Sequence, residues 1–275
     1  MGTSDIPVDL ANPGQVFACL GFLEAADVLC GPAQGGFRCA AEECFVLAAD
    51  GADDPVREVL AFLAGAEVTA AAPAGWDAPD GLDVQELDSF PALEADKMAL
   101  PLILSRGAGP DIRLGHWADG SSRESFKLYA GNRSAVKIAS DMIALIASLW
   151  RERRDEVVRD PLNTLCAMGG SFNFDPRGAW TAIDAGYSPN EHKHKVAASP
   201  VVEVLAAWGL EHARPMEVGR RRAGYAAWQE LLPPVLARAV LSGVPTAIPV
   251  RRFTFDLALS GKNKVVQFAV EEAAA

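Results

Sequence analysis

Asn12-Pro13-Gly14-Gln15-Val16-Phe17-Ala18-Cys19-Leu20-Gly21-Phe22-Leu23-Glu24-Ala25-Ala26-Asp27-Val28-Leu29-Cys30 is the stretch that decides the fold. Asn12 can cap a helix, Pro13 fits its first position, and Gln15, three residues after the cap, can return a hydrogen bond to it. From Val16 to Leu23 nearly every face is apolar, with only Glu24 and Asp27 marking a solvent edge, and Gly31-Pro32 closes the helix. A helix without a polar face must be surrounded, so the sequence predicts a central N-terminal helix with the rest of the chain wrapped around it.

Downstream, Phe37 to Leu47 reads as strand, and Asp54-Pro55 opens a second helix whose Val56, Val59, Leu60 and Leu63 face one way before Gly65 ends it. Ala66 to Ala72 reads as strand again. Residues 73 to 96 carry Pro73, Pro79, Pro91 and seven carboxylates, the composition of a solvated connection, which places a soft boundary between an acidic region 1-96 and a more basic region 97-275. Met98 to Leu104 and Ile112 to Trp117 read as strands, and Ser134 to Asp160 as one long central helix with Ile138, Met142, Leu145, Ile146 and Leu149 inside. Ser199-Pro200 caps a further helix with Gly209 at its end. Phe253, Phe255, Leu257 and Leu259 alternate with polar residues, and Gly261-Lys262-Asn263-Lys264 turns them into Val266, Phe268 and Val270, a hairpin with one buried face. The expected fold is therefore α+β: small mixed sheets, a buried N-terminal helix, a long central helix and a C-terminal antiparallel hairpin. No internal repeat is visible, and the only low-complexity segment is Ala273 to Ala275.

The chain has 275 residues, half of them apolar, a composition that excludes wholesale disorder. Its longest uninterrupted apolar stretches, such as Met98 to Leu104, fall short of the roughly 18 to 20 residues a bilayer crossing needs. The first six residues carry neither a basic segment nor an apolar signal core, and five cysteines form no Cys-x-x-Cys pair, so a cytoplasmic protein with reduced thiols and no membrane partner is expected. Phosphate-loop, dinucleotide, nucleophile-elbow and His-Glu-x-x-His signatures are absent, and no cofactor is expected. Cys39 and Cys44 lack a nearby His to complete a zinc site, His192 and His194 are flanked by Lys193 and Lys195, and Asp175 with Asp184 could only form a carboxylate pair if the fold brought them together.

Net charge is −11, which argues against a phosphate-rich partner until its distribution is considered. Residues 1–105 hold 3 Lys/Arg against 18 Asp/Glu, whereas residues 106–275 hold 22 against 18. Arg151, Arg153, Arg154 and Arg159 alternate with carboxylates and cancel. Arg220-Arg221-Arg222 is uninterrupted, Lys193 and Lys195 lie in a loop, and Lys262 and Lys264 sit at the hairpin turn, which suits phosphate contacts. Arg113, Arg123, Lys127, Arg133 and Lys137 add to the set, with Asn132 for hydrogen bonding and Tyr129 for stacking.

The first helix, Phe126-Lys127-Leu128-Tyr129-Ala130-Gly131-Asn132, Ser171-Phe172-Asn173-Phe174-Asp175-Pro176, and Asp184-Ala185-Gly186-Tyr187-Ser188-Pro189 followed by Pro200 to Leu210 together resemble, in order and spacing, the Csb-three type proteins of type I-U (I-G) CRISPR systems. The resemblance covers nearly the whole chain. It implies a non-catalytic, large-subunit-like component of a Cascade surveillance ribonucleoprotein in antiviral defence. Its partners would be guide RNA, target DNA, the backbone and guide-processing subunits, and a helicase-nuclease effector. The role implied is adjacent-motif recognition and R-loop stabilisation, with guide pairing reading the sequence. Two alternatives stand beside it: a guide-RNA-processing endonuclease using His194 or His116 as general acid-base with Lys195 on phosphate, and a non-CRISPR cytosolic scaffold.

Overall fold

The computed structural model describes residues 1–39, 42–91, 95–118, 126–130, 133–178 and 195–273. The chain is an α+β protein of several helices and small mixed sheets. Helix α1 (Pro13–Cys30) is buried along all but its last turn. It follows β1 (Gly2–Pro7) and leads into the hairpin β2 (Ala33–Cys39) and β3 (Glu43–Ala49), with β3 inserted between β1 and β2 and antiparallel to both. The sequence predicts a single strand over Phe37–Leu47. The fold instead reverses the chain between Cys39 and Glu43, because pairing with both β1 and β2 buries residues on each side of β3. Strand β1 has no apolar alternation, its outer positions being half-exposed, and so carries no signal in the sequence.

The cap of α1 is built differently from the expected box. Asn12 accepts from the Gln15 amide N–H, but the Gln15 side chain accepts from the Asp9 N–H (2.7 Å) and donates to Asn163 (2.9 Å) rather than returning to the cap. Asn12 Nδ2 donates to the buried Asp175 carboxylate (3.2 Å). The Asn-Pro-Gly-Gln sequence therefore ties the start of α1 to the middle of the chain. By length and composition α1 would suit a bilayer crossing, and its apolar surface is here mostly inside the protein.

Helix α2 (Pro55–Ala64), capped by Asp54, packs on α1, and β4 (Glu67–Pro73) begins a second sheet of order β5-β4-β6-β7. Its other strands are β5 (Val84–Leu87), β6 (Leu102–Ser105) and β7 (Ile112–Leu114). Residues 73 to 96 are thus more than a connection: β5 pairs parallel with β4, and Trp76, Leu82 and Phe90 pack on a small core around Leu100. The expected helix Ser134–Asp160 is two helices, α3 (Ala135–Glu152) and α4 (Arg154–Arg159), broken at Arg153, whose guanidinium turns to Glu156 and to the Leu165 carbonyl. Beyond the two-stranded β8 (Cys166–Met168) and β9 (Val196–Ala198), helix α5 (Pro200–His212) runs past Gly209.

Gly209 is a crossing point rather than a stop. A Cβ there would meet the Phe17 carbonyl at 2.3 Å, and one on Gly21 would meet the Leu205 carbonyl at 2.0 Å, so α1 and α5 touch backbone to backbone. The last sheet takes β10 (Met216–Gly219), β11 (Arg222–Trp228), β12 (Val250–Ser260) and β13 (Asn263–Val266) in that order, with β14 (Val270–Glu271) also on β12. Helix α6 (Pro234–Leu241) packs on β11, and its Arg238 grips the buried Glu24 of α1 at 2.6 Å through two N–H groups. The main core runs from Ile6 to Ala269. The order helix, hairpin, helix recurs as α1-β2-β3-α2 and α5-β10-β11-α6, a repeat of elements that shares only Pro at each helix start.

Candidate nucleic-acid interface

Two basic hairpin turns stand at one end of the last sheet. Strands β10 and β11 pair with a register shift after Glu217 and turn through Arg220-Arg221. Arg221 has φ 59°, the left-handed region in which a non-glycine residue is uncommon and where such hairpins ordinarily carry Gly. Its carbonyl accepts the Leu257 N–H at 2.8 Å, which fixes the turn to β12. Arg222 lies opposite Asp256, so β12 runs four residues beyond the first turn, about 13 Å at strand rise, before its own turn at Gly261-Lys262. Strand β13 brings Lys264 back opposite Leu259. The second turn is held from below: the Lys264 N–H donates to the Leu128 carbonyl (2.8 Å), and Asn263 Oδ1 accepts the Ala130 N–H (2.9 Å).

The step between the turns is a cleft of about 170 Å³ lined by Arg220, Arg221, Arg222 and Lys264 with Glu217, Gly219, Ala223 and Leu257. Four cationic side chains face one carboxylate in it. Arg222 Nε is 3.9 Å from Asp256 Oδ1, and its Nη2 donates to Thr254 at 3.3 Å; both partners of the ion pair are more than half exposed, so the pair is worth at most about 1 kcal/mol and leaves the guanidinium available.

Other predicted contacts are distributed elsewhere. Lys127 lies 5.2 Å from the Tyr129 ring centroid and precedes Leu128, on which β13 rests, so it belongs to the same end of the molecule. Tyr129 itself is buried between Trp117 and Phe172, its hydroxyl unpaired and its acidity suppressed by burial, so it is closed to the stacking role expected of it. Arg113 is exposed on β7, in a different sheet. Lys137, outward on α3, pairs with Asp141. Arg133 is half-buried against Gly170, where burial lowers its basicity and Glu203 partly restores it. Lys195 is exposed just before β9, and Lys262 is exposed at the second turn. Arg123, Asn132 and Lys193 lie outside the described residues, as do Asp184, His192 and His194.

The acid-base candidates that are described are structural. Asp175 is buried, accepting from Arg177 Nη2 (2.7 Å), from Arg177 Nε and from Asn12, which leaves no face for a substrate. Burial pushes the Glu203 carboxyl up to about 7, while the Asp175 and Phe174 amides that donate to it act in the opposite direction. His116 is pushed down to about 3 by burial and by the Arg214 charge; neither ring nitrogen is in hydrogen-bond geometry, the Phe126 and Ala207 backbone only favouring its protonation weakly. A neutral, enclosed imidazole cannot exchange protons with a substrate. The Arg151 to Arg159 cluster lines an open hollow with Glu152, Asp155 and Glu156, and Arg153 is consumed by Glu156. Among the described residues no three His, Cys, Asp or Glu side chains are placed to hold a metal ion.

No protein-family model, no curated protein and no solved structure matches the chain. What the sequence missed is Phe268, assigned to the buried face of the C-terminal hairpin and found half-exposed, together with Val270. The signal is the register: β13 pairs Val266 with Leu257, but β14 pairs Val270 with Thr254, one residue out of step. The extra residue sends Phe268 and Val270 outward and Ala269 inward.

Proposed function

We propose that the chain is a non-catalytic, nucleic-acid-binding subunit of a type I-G RNA-guided surveillance complex, acting in the cytoplasm beside backbone and guide-processing subunits. The observation that carries the reading is the convergence of Arg220, Arg221, Arg222 and Lys264 on one cleft between two hairpin turns. Backbone phosphates are the natural ligands of such a group, because each cation neutralised releases a counterion and contributes independently of sequence. The acidic region 1-96 faces basic protein neighbours in this scheme, and the more basic region 97-275 faces the polyanion. The buried first helix, the long helix α3 and the C-terminal hairpin form the frame that presents the cleft.

Co-expression of the tagged chain with its neighbouring genes tests the assembly. A stoichiometric particle containing guide RNA is expected, and a lone monomer free of nucleic acid would count against it. Within the particle, replacing Arg220, Arg221 and Arg222 by Ala is expected to lower the salt dependence of target binding by up to about three units of slope on duplex, near 0.9 for each phosphate left without its cation. An unchanged slope would return these residues to the solvated surface.

A further inference from the structure

The slip in register between β13 and β14 has a consequence for what lies next to the cleft. Had β13 continued in register, Phe268 would lie opposite Phe255 and inside the core; after the slip it takes the position opposite Asp256, and Ala269 the one opposite Phe255. Three hydrogen bonds hold the chain in this path: Val266 N–H to the Asn173 carbonyl (3.3 Å), Gln267 N–H to the Asp256 carbonyl (3.0 Å) and Ala269 N–H to the Ala11 carbonyl (2.7 Å). Asp256 is opposite Arg222 in turn. Opposed residues of neighbouring strands share a face, so Arg222, Asp256 and Phe268 form one outward row, and strands about 4.8 Å apart put Phe268 roughly 10 Å from Arg222. Val270, opposite Thr254, stands in the next row.

Phe268 is 50% exposed and Val270 70%. Among the described residues no other aromatic side chain is as exposed as Phe268; Phe17, Tyr129, Tyr225, Phe253 and Phe255 of this region are all buried. An exposed phenyl ring by itself means little. This one is delivered to the surface by a bulge, in the row that ends on Arg222 at the mouth of a cationic cleft.

We infer that Phe268 is a stacking platform for an unpaired nucleobase of a single strand whose phosphates are held by Arg220, Arg221, Arg222 and Lys264. The inference rests on the nucleic-acid reading of the cleft and adds that the ligand there is single-stranded, since only an unpaired base offers its face to a ring. Asp256 between them repels phosphate and so keeps the backbone on the arginine side and the base on the phenyl side. The cleft, at about 170 Å³, admits a phosphate and sugar and not a duplex.

The test uses the full chain and twelve-nucleotide probes at about 0.1 M salt, where the Debye length of about 10 Å lets the cleft's own cations outweigh the distant acidic third. Oligo-dT, oligo-rU, an abasic strand of equal length and a duplex are compared on wild type, Phe268→Ala, Phe268→Trp and the triple Arg220, Arg221, Arg222→Ala variant. Phe268→Ala is expected to weaken dT and rU binding about tenfold, the scale of one base stack, and to leave the abasic strand unchanged, while Phe268→Trp retains affinity. The tighter of dT and rU identifies the strand as DNA or RNA. Equal affinity of Phe268→Ala, or an equal loss on the abasic strand, overturns the platform; if the triple variant still weakens every probe, the cleft reading survives that failure. Absence of binding by wild type to any strand, alone and in the co-purified particle, overturns both. Preference of wild type for the duplex retains the cleft and removes the single-strand assignment.

Discussion

Replacing Arg221 by Gly is expected to strengthen the fold and weaken the function. Arg221 holds φ 59° at the β10–β11 turn. For a residue with a Cβ the left-handed region costs about 1–2 kcal/mol, and Gly returns roughly 0.5–1 kcal/mol of that through the greater freedom it gives the unfolded chain. The net gain is about 0.5–1 kcal/mol, or about 1–3 °C in Tm for a chain of this size. The backbone bond from Leu257 N–H to the residue-221 carbonyl needs no side chain and persists. One cation leaves the cleft, so the salt slope of single-strand binding falls by about 0.7. Arg221→Ala separates the two effects, because Ala keeps the strain and loses the charge: its slope should fall equally with no rise in Tm. Thermal melts and a salt titration by fluorescence anisotropy read both quantities. A lower Tm for Arg221→Gly would show that the side chain supports the turn, and an unchanged slope would show that it touches no phosphate; either result refutes the argument that strain is retained here for binding.

Glu203 makes stability depend on pH in an unusual direction. Its folded carboxyl titrates at about 7 against 4.5 unfolded, so between these values the folded chain holds a proton the unfolded chain has released, and stability falls as pH rises, by up to about 3 kcal/mol in total. Glu203→Gln should remove that part of the slope, which urea midpoints at pH 5 and pH 7.5 would reveal; parallel pH profiles for variant and wild type would contradict the assignment. Gly209→Ala places a Cβ 2.3 Å from the Phe17 carbonyl, a backbone atom that cannot yield without separating α1 from α5, and should cost more than about 3 kcal/mol. Gly219→Ala, whose Cβ has nothing closer than 3.9 Å, should be near neutral by the same melts, and similar losses for both would dismiss the close crossing.

Elements that bury a strong stripe are legible in the sequence: α1 and α2 begin and end at the Asn12-Pro13, Asp54-Pro55 and Gly65 signals. What escaped depends on partners distant in sequence. The β2–β3 reversal is invisible because both strands are apolar, and β1 because it is half-exposed. Gly209 has the local character of a helix stop, and only the approach of Phe17 and Gly21 shows why it lies inside a helix. At the site, the Arg220 to Arg222 run and the Lys262 turn stand out by charge, but their adjacency follows from β12 pairing with β11 on one edge and β13 on the other. Alternation was the correct rule for Phe253 to Leu257 and gave the wrong face for Phe268, since one inserted residue inverts every position after it.

A chain of net charge −11 can still hold phosphate because its cations are not equally committed. Arg38 is paired with Asp5, Lys137 with Asp141, Arg153 with Glu156, Arg177 with Asp175, Arg238 with Glu24, and Arg251 with both Glu43 and Glu271. These pairs commit cations to holding elements together, Arg251 to the extent that its basicity is raised by two carboxylates. At the hairpin end the only described carboxylates in or beside the cleft are Glu217 and Asp256, the latter 3.9 Å from Arg222 and largely in solvent. At physiological ionic strength a phosphate responds to charges within about 8 Å, so the cleft attracts what the whole molecule repels at long range. The two scales act on different steps. Distant repulsion slows the approach of a free polyanion to the isolated chain, whereas the local cations set how long it stays. Covering the acidic first third with basic neighbours lifts the first penalty without altering the second. Affinity for nucleic acid should therefore rise on assembly chiefly through the association rate, with the dissociation rate governed by Arg220, Arg221, Arg222 and Lys264 in both states.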